Sequence, residues 1–266
     1  MQPSRKRARR YDPARTRAAV LAQFAQVREA VRTLTPEQLA RPTRLGDWTV
    51  RELAVHLTMA LSGVTRSLAL PEPAAAKPGL TLVEWPSATA DRASGISDDT
   101  RALALDHPGL DALYGEVAAR FEELVPTAGD ERLVTTRVGV MRLADFLVTR
   151  TVELVVHTDD LNDATGLGIP YDRQALAACT RLLADALAHK APGGSVEVRV
   201  PPFAVVQCVP GPRHTRGTPP SVVETDPLTW IRLATGRTQW ARALDGAKVD
   251  ASGERADLAA LLPLMG

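Results

Sequence analysis

The 266-residue chain has only two cysteines, few aromatic residues (4%), almost no net charge (+1) and no long unbroken apolar stretch. Each shortage excludes something. Cys179 and Cys208 lie far apart and match no CxxC or paired-ligand spacing, which argues against a disulfide framework and against a cysteine zinc site. Both read as small buried hydrophobes. No segment approaches the eighteen or so apolar residues of a membrane span, and the basic start "MQPSRKRARRYDPARTR" is followed by no apolar h-region or cleavage site. The expectation is a soluble, cytoplasmic protein with no membrane partner.

The small net charge hides an uneven distribution. Arg5, Lys6, Arg7, Arg9, Arg10, Arg15 and Arg17 against Asp12 leave the first seventeen residues at +6 and the rest at −5. A nucleic-acid-binding domain would carry its positive charge on the folded surface, so a mildly acidic body argues against that class. Residues 1–14 read as a solvated, disordered basic tail.

What is present is mostly helical periodicity. Apolar residues recur at helical intervals through residues 12–34 (Val20, Phe24, Val27, Val31, Leu34), and Pro36, Pro42 and Gly46 then break the pattern. Thr49 with Glu52 forms a capping box, with Trp48 and Leu53 placed as a hydrophobic staple, and a second helix follows through "VRELAVHLTMALSGVTRSL". Residues 71–100 show no sustained period and read as a long connection with a short helix around Ala88–Ala93. A third helix fits "GLDALYGEVAARFEELV" and a fourth "MRLADFLVTRTVELVVHTDDLNDAT", ended by Gly166, Gly168 and Pro170. Four long helices make a bundle. Beyond it come a helix near 172–190, the alternating strand "SVEVRV", the strands "FAVVQCV" and "SVVETD", two short helices around 226–245, a strand at "KVDAS" and a last helix near 255–262. The fold class is therefore α+β and mostly helical: a bundle over 15–168, then a small α+β domain over 169–266 whose sheet is expected to be antiparallel.

One stretch of the fourth helix, "TVELVVHTDD", sets a glutamate and a histidine inside an apolar run. Positions four apart on a helix differ by only about 40° in direction, so Glu153 and His157 share a face. A buried carboxylate needs a cation, hydrogen bonds or a metal. His56, on the expected core side of the second helix, supplies the third member of a two-imidazole, one-carboxylate set, which in catalytic zinc sites leaves a position open. The spacing is neither HExxH nor the Glu-x-x-His of di-iron bundles. From spacing alone, an alternative stands equally: Glu153 pairs with Arg150, and both histidines are satisfied core residues. Asp159 and Asp160 read either as groups orienting an imidazole or as solvated helix-end acids. His107, His189 and His214 read as surface residues.

"RLGDWTVRELAVHL" and "RTVELVVHTDDL" together resemble the metal-binding domain of the mycothiol-dependent maleylpyruvate isomerase family, which belongs to the DinB-like four-helix bundles. The resemblance implies that His56, Glu153 and His157 ligate a divalent metal, usually zinc, and that mycothiol is the thiol coenzyme. Residues from "VVETDPLTWIRLATGR" onward resemble the bacterial sterol-carrier-like domain, and within them Arg237 is the candidate catalytic cation. The activity implied by the resemblance is that of an isomerase or thiol transferase acting on a small electrophile, with no nucleic-acid partner. The rival reading is a sterol-carrier-like binding protein with a structural metal, whose apolar ligand would meet Val205, Val206, Leu233 and Leu244.

Overall fold

A computed structural model describes residues 9–89, 93–211 and 221–265. The first helix, α1 (Pro13–Val31), opens where Asp12 accepts a hydrogen bond from the Arg15 amide; Pro13 takes the first turn, where a missing N–H costs nothing. Most of the expected basic tail, and His214, lie outside the described residues. Of the tail's remainder, Arg9 donates to Asp185 across 2.9 Å, which ties this segment to the fold.

A short helix α2 (Pro36–Leu39) precedes α3 (Val50–Ala69), which starts on the expected capping box: the Thr49 hydroxyl accepts from the Glu52 amide at 3.3 Å, and the Glu52 carboxylate accepts from the Thr49 amide at 2.7 Å. Then come α4 (Trp85–Ala88), α5 (Ala93–Asp106), α6 (Leu110–Leu124), a hairpin of β1 (Leu133–Thr136) and β2 (Gly139–Arg142), and α7 (Leu143–Thr165). Gly166, at φ +72°, ends α7 in the left-handed conformation that glycine adopts without strain. The four long helices α1, α3, α6 and α7 form the bundle, with α7 packed along both α1 and α3. Phe24 and Tyr114 stack inside it with centroids 4.8 Å apart, and Leu53, Leu57, Leu147 and Leu154 are fully buried. Each such side chain contributes about 1.5–3 kcal/mol relative to exposure.

Three of the helix expectations need correction. Residues 71–100 are not a connection throughout: α5 runs from Ala93 to Asp106 and packs on α3. Its inward stripe is Ile96, Thr100 and Leu103, and the polar threonine at the fully buried centre breaks the apolar pattern. The fourth helix begins at Leu143, because Met141 belongs to β2, where it is buried opposite Val134. The last expected helix is only a single tight turn, Ala259–Leu261, because Pro263 biases the residue before it away from helix.

After the bundle, α8 (Arg173–Lys190) is capped by Asp172 and packs on α1 and α7 on one side and the sheet on the other. The strands β3 (Val196–Val200), β4 (Ala204–Cys208), β5 (Val222–Thr225) and β6 (Val249–Ser252) are ordered β4-β3-β5-β6. The sheet is mixed rather than antiparallel: β4 and β5 flank β3 on opposite sides, and β5 runs parallel to β3. Such a pairing needs a connection of about a dozen residues or more, and β3 ends at Val200 while β5 begins at Val222. The alternation in β3 holds, with Val196, Val198 and Val200 buried. Helices α9 (Pro227–Ala234) and α10 (Trp240–Asp245) complete this part, and α9 packs on α8. Both cysteines are free and buried; burial pushes the Cys208 thiol up to about 11 and Cys179 higher still.

Candidate metal centre and its cavity

Helix α3 carries His56 and helix α7 carries Glu153 and His157, and the packing of the two helices brings one donor atom from each within 4.8 Å of the others. Both Nε2 atoms face the same carboxylate oxygen, Glu153 Oε2, at 3.7 Å from His56 and 3.5 Å from His157. These separations are too long for hydrogen bonds. They are near the roughly 3.3 Å between neighbouring donors of a tetrahedral ion with bonds of about 2.0–2.1 Å. The rings of His56 and His157 stand perpendicular, with centroids 4.7 Å apart.

The opposite edge of each imidazole is held. His157 Nδ1 lies 2.8 Å from Asp160 Oδ2 and donates to it. His56 Nδ1 lies 3.4 Å from the Thr100 hydroxyl, which donates to the Ile96 carbonyl at 2.8 Å and so keeps an oxygen lone pair for the ring N–H. The partners thus assign the protons to both Nδ1 atoms and leave both Nε2 lone pairs turned toward Glu153. Among the described residues the Glu153 carboxylate has only long polar contacts: His157 Nε2 at 3.5 Å, His56 Nε2 at 3.7 Å and Arg150 Nη2 at 3.9 Å. Two imidazole nitrogens and a carboxylate, converging in a largely buried site, fit a divalent cation.

Electrostatics act on the three groups differently. Burial lowers His56 below the ordinary histidine value. Burial also opposes the charged form of His157, but Asp160 and Glu153 outweigh it and hold the group above that value. Burial likewise opposes the charge on Glu153, and the two imidazoles and Arg150 overcome it, holding the carboxyl well below the usual range.

Behind His157 lies a network that no local pattern announced. Asp159 and Asp160 are buried rather than solvated. Arg44, from the loop before α3, donates to Asp160 and Asp159 at 2.6 Å each. Arg232 on α9 grips Asp159 at 2.9 and 2.6 Å, and the Tyr171 hydroxyl adds a third partner at 3.1 Å. Arg237, in the turn after α9, donates to Asp160 at 2.9 and 3.2 Å and to the Thr235 carbonyl at 2.7 Å. Its guanidinium is thus one carboxylate removed from the three donors. Arg44 and Thr100 went unnoticed in the sequence because the partners they meet are distant along the chain, and neither sits in a repeating pattern. Among the other histidines, His189 is exposed and His107 half-buried, and neither joins the cluster.

A cavity of about 630 Å³ opens beside His56 and Glu153. Its walls come from α3, α4, α5, the β1–β2 turn and α7, with Met59, Trp85, Ile96, Val138 and Phe146 among the apolar contributors. The hairpin turns at Gly139, whose φ of +135° disfavours other residues, and this turn presents Arg137 and Val138 to the hollow.

Comparisons with known proteins agree with this architecture. The family model described as the mycothiol maleylpyruvate isomerase N-terminal domain matches residues 20–162, and the model described as a bacterial SCP ortholog matches residues 172–264. The crystal structure of the mycothiol-dependent maleylpyruvate isomerase superposes with a TM-score of 0.59 at 15% identity, over 92% of this chain and 95% of that one. A histidine-to-alanine mutant of that isomerase gives 0.58 at 17% identity with the same coverage. At such identities the likeness is one of fold. No curated protein sequence matches. With more than half its length matched by the first model, the chain belongs to the mycothiol maleylpyruvate isomerase N-terminal domain family, followed by a bacterial SCP-type domain.

Proposed function

We propose that this protein is a metal-dependent, mycothiol-using enzyme, an isomerase or thiol transferase acting on a small electrophile, with His56, Glu153 and His157 holding the ion. The observation that carries the reading is the convergence of two Nε2 lone pairs on the Glu153 carboxylate beside an accessible cavity. A structural site would be closed by a fourth ligand, whereas no other His, Cys, Asp or Glu among the described residues joins this group. Zinc suits the donor set, and family membership supports mycothiol as the thiol. A divalent ion held by these residues would supply the positive charge that keeps a thiol ionised near neutral pH.

The chain's own residues supply the rest. Asp160 and Thr100 fix the two rings so that the Nε2 atoms point inward. Arg237, expected as the cation facing the reacting carbonyl, acts in this reading through Asp160 on the orientation of His157. The apolar walls lower the local dielectric and so lengthen the reach of the charges beside them. The family match ending at residue 162 and the next beginning at 172 support a domain division near Gly168.

Metal analysis of the purified chain, with His56→Ala and Glu153→Ala alongside, tests the site: the reading requires about one divalent ion per chain and its loss in both variants. Mycothiol should then raise the melting temperature of the loaded protein and leave the variants unmoved. Full metal content in both variants sinks the reading. The carrier alternative draws on the SCP match, but Val206 and Leu233 are buried core residues while Val205 and Leu244 are exposed.

A further inference from the structure

Arg150 is a largely buried cation whose one neighbouring anion, Glu153, is too distant to accept a hydrogen bond from it. Its side chain is only 12% exposed, yet its Nε and Nη2 both donate to a single acceptor, the Thr149 hydroxyl, at 3.0 and 2.8 Å. The nearest carboxylate oxygen, Glu153 Oε1, is 3.9 Å away, beyond hydrogen-bond distance, and belongs to the group proposed to hold the ion. A guanidinium carries five N–H donors, so most of this set finds no acceptor among the described residues. The ring of Phe146 lies 4.6 Å from the guanidinium carbon and that of Trp85 lies 5.7 Å from it, and both hold the group in place. The result is a planar fork, already oriented and largely buried, that lines the cavity and matches a carboxylate.

The remainder of the cavity says what that carboxylate belongs to. Arg137 donates to Asp99, while Arg66 stands exposed at the rim and no carboxylate of the described residues pairs with it. The mouth is therefore cationic and favours entry of an anion. Past the mouth the walls are Met59, Ala60, Ile96 and Val138 with the two aromatic rings. A volume of about 630 Å³ so lined is poorly matched by a very small, doubly charged acid, which would leave the apolar surface unfilled.

We infer that this cavity binds an unsaturated organic monocarboxylate with an apolar body, its carboxylate on Arg150 and its body against Met59, Trp85, Ile96 and Phe146, beside the metal centre. That the ligand is unsaturated, and is the electrophile, rests on the proposed thiol chemistry; the anion site and the apolar wall do not.

The test is calorimetric titration of the full chain with cinnamate, its neutral analogue cinnamamide, and maleate as a small dianion, before and after chelation of metal. Cinnamate should bind the wild type roughly 10- to 100-fold more tightly than cinnamamide, the effect of a charge-assisted pair in a shielded site. Arg150→Met, which keeps the volume, should reduce cinnamate to the level of cinnamamide, with Arg150→Lys between them. Chelation should leave this discrimination standing. Equal binding of cinnamate and cinnamamide overturns the inference, as does cinnamate affinity that survives Arg150→Met but vanishes on chelation. Maleate binding as tightly as cinnamate overturns the apolar body. The cinnamamide comparison on wild type needs no variant to fold. Failure of the mycothiol reading would leave the carboxylate result intact, so the two can be told apart.

Discussion

His157 and Arg237 meet on one oxygen: Asp160 Oδ2 accepts from the imidazole Nδ1 at 2.8 Å and from the guanidinium Nη2 at 2.9 Å. One side chain of the bundle and one of the C-terminal part are thereby joined through a fully buried carboxylate. Removing that carboxylate's charge while keeping its shape, Asp160→Asn, should weaken metal binding about 10- to 100-fold, because the acceptor that orients and polarises the imidazole is weakened. Competition against a chromophoric chelator measures this directly.

The same network bears on folding. Arg44 satisfies two buried carboxylates at once, so Arg44→Ala leaves Asp159 and Asp160 with fewer partners. A loss of about 2–4 kcal/mol is expected in urea denaturation. Arg120, paired with the exposed Glu123, is the control; Arg120→Ala should cost under about 1 kcal/mol.

Asp159 supplies a pH dependence with a definite sign. Burial raises its pKa, but Arg232 and Arg44 outweigh this and hold it below the ordinary value. A carboxyl depressed in the folded state stabilises fully above its unfolded pKa of about 3.9, and that contribution is lost as pH falls through the folded value. Stability should therefore drop steeply below about pH 4. In Asp159→Asn this acid limb should be shallower, from a lower starting point near neutral pH, as melting temperatures across pH 2–7 would reveal.

Thr100 is the neutral counterpart of Asp160 on the other ring. Thr100→Val keeps the volume and removes the oxygen 3.4 Å from His56 Nδ1. Because that contact is long and uncharged, metal affinity should fall by less than about tenfold, nearer the lower limit for outer-shell partners. The same chelator competition separates this from the larger loss at Asp160.

Local chemistry made much of the molecule legible. The Thr49–Glu52 box and the glycine after Thr165 mark helix ends through hydrogen bonds to near neighbours, so α3 and the end of α7 could be placed by reading along the chain. Glu153 and His157 share a face by helical rotation alone. The hairpin and α5 were hidden because each is short or has a polar residue at its buried centre, as Thr100 is, and that hydroxyl is accommodated by the Ile96 carbonyl and by His56 across the bundle.

Only packing decided which atoms meet. His56 reaches Glu153 because α3 lies along α7, and Arg44, Arg232 and Arg237 converge on two adjacent aspartates from loops and a helix far away in sequence. The sequence by itself determined the donor types and the faces that carry them, since both follow from side-chain identity and helix geometry. Tertiary structure decided that Arg237 serves Asp160 while Arg150 faces the cavity, because a guanidinium's partner is set by distances between elements, which periodicity does not encode.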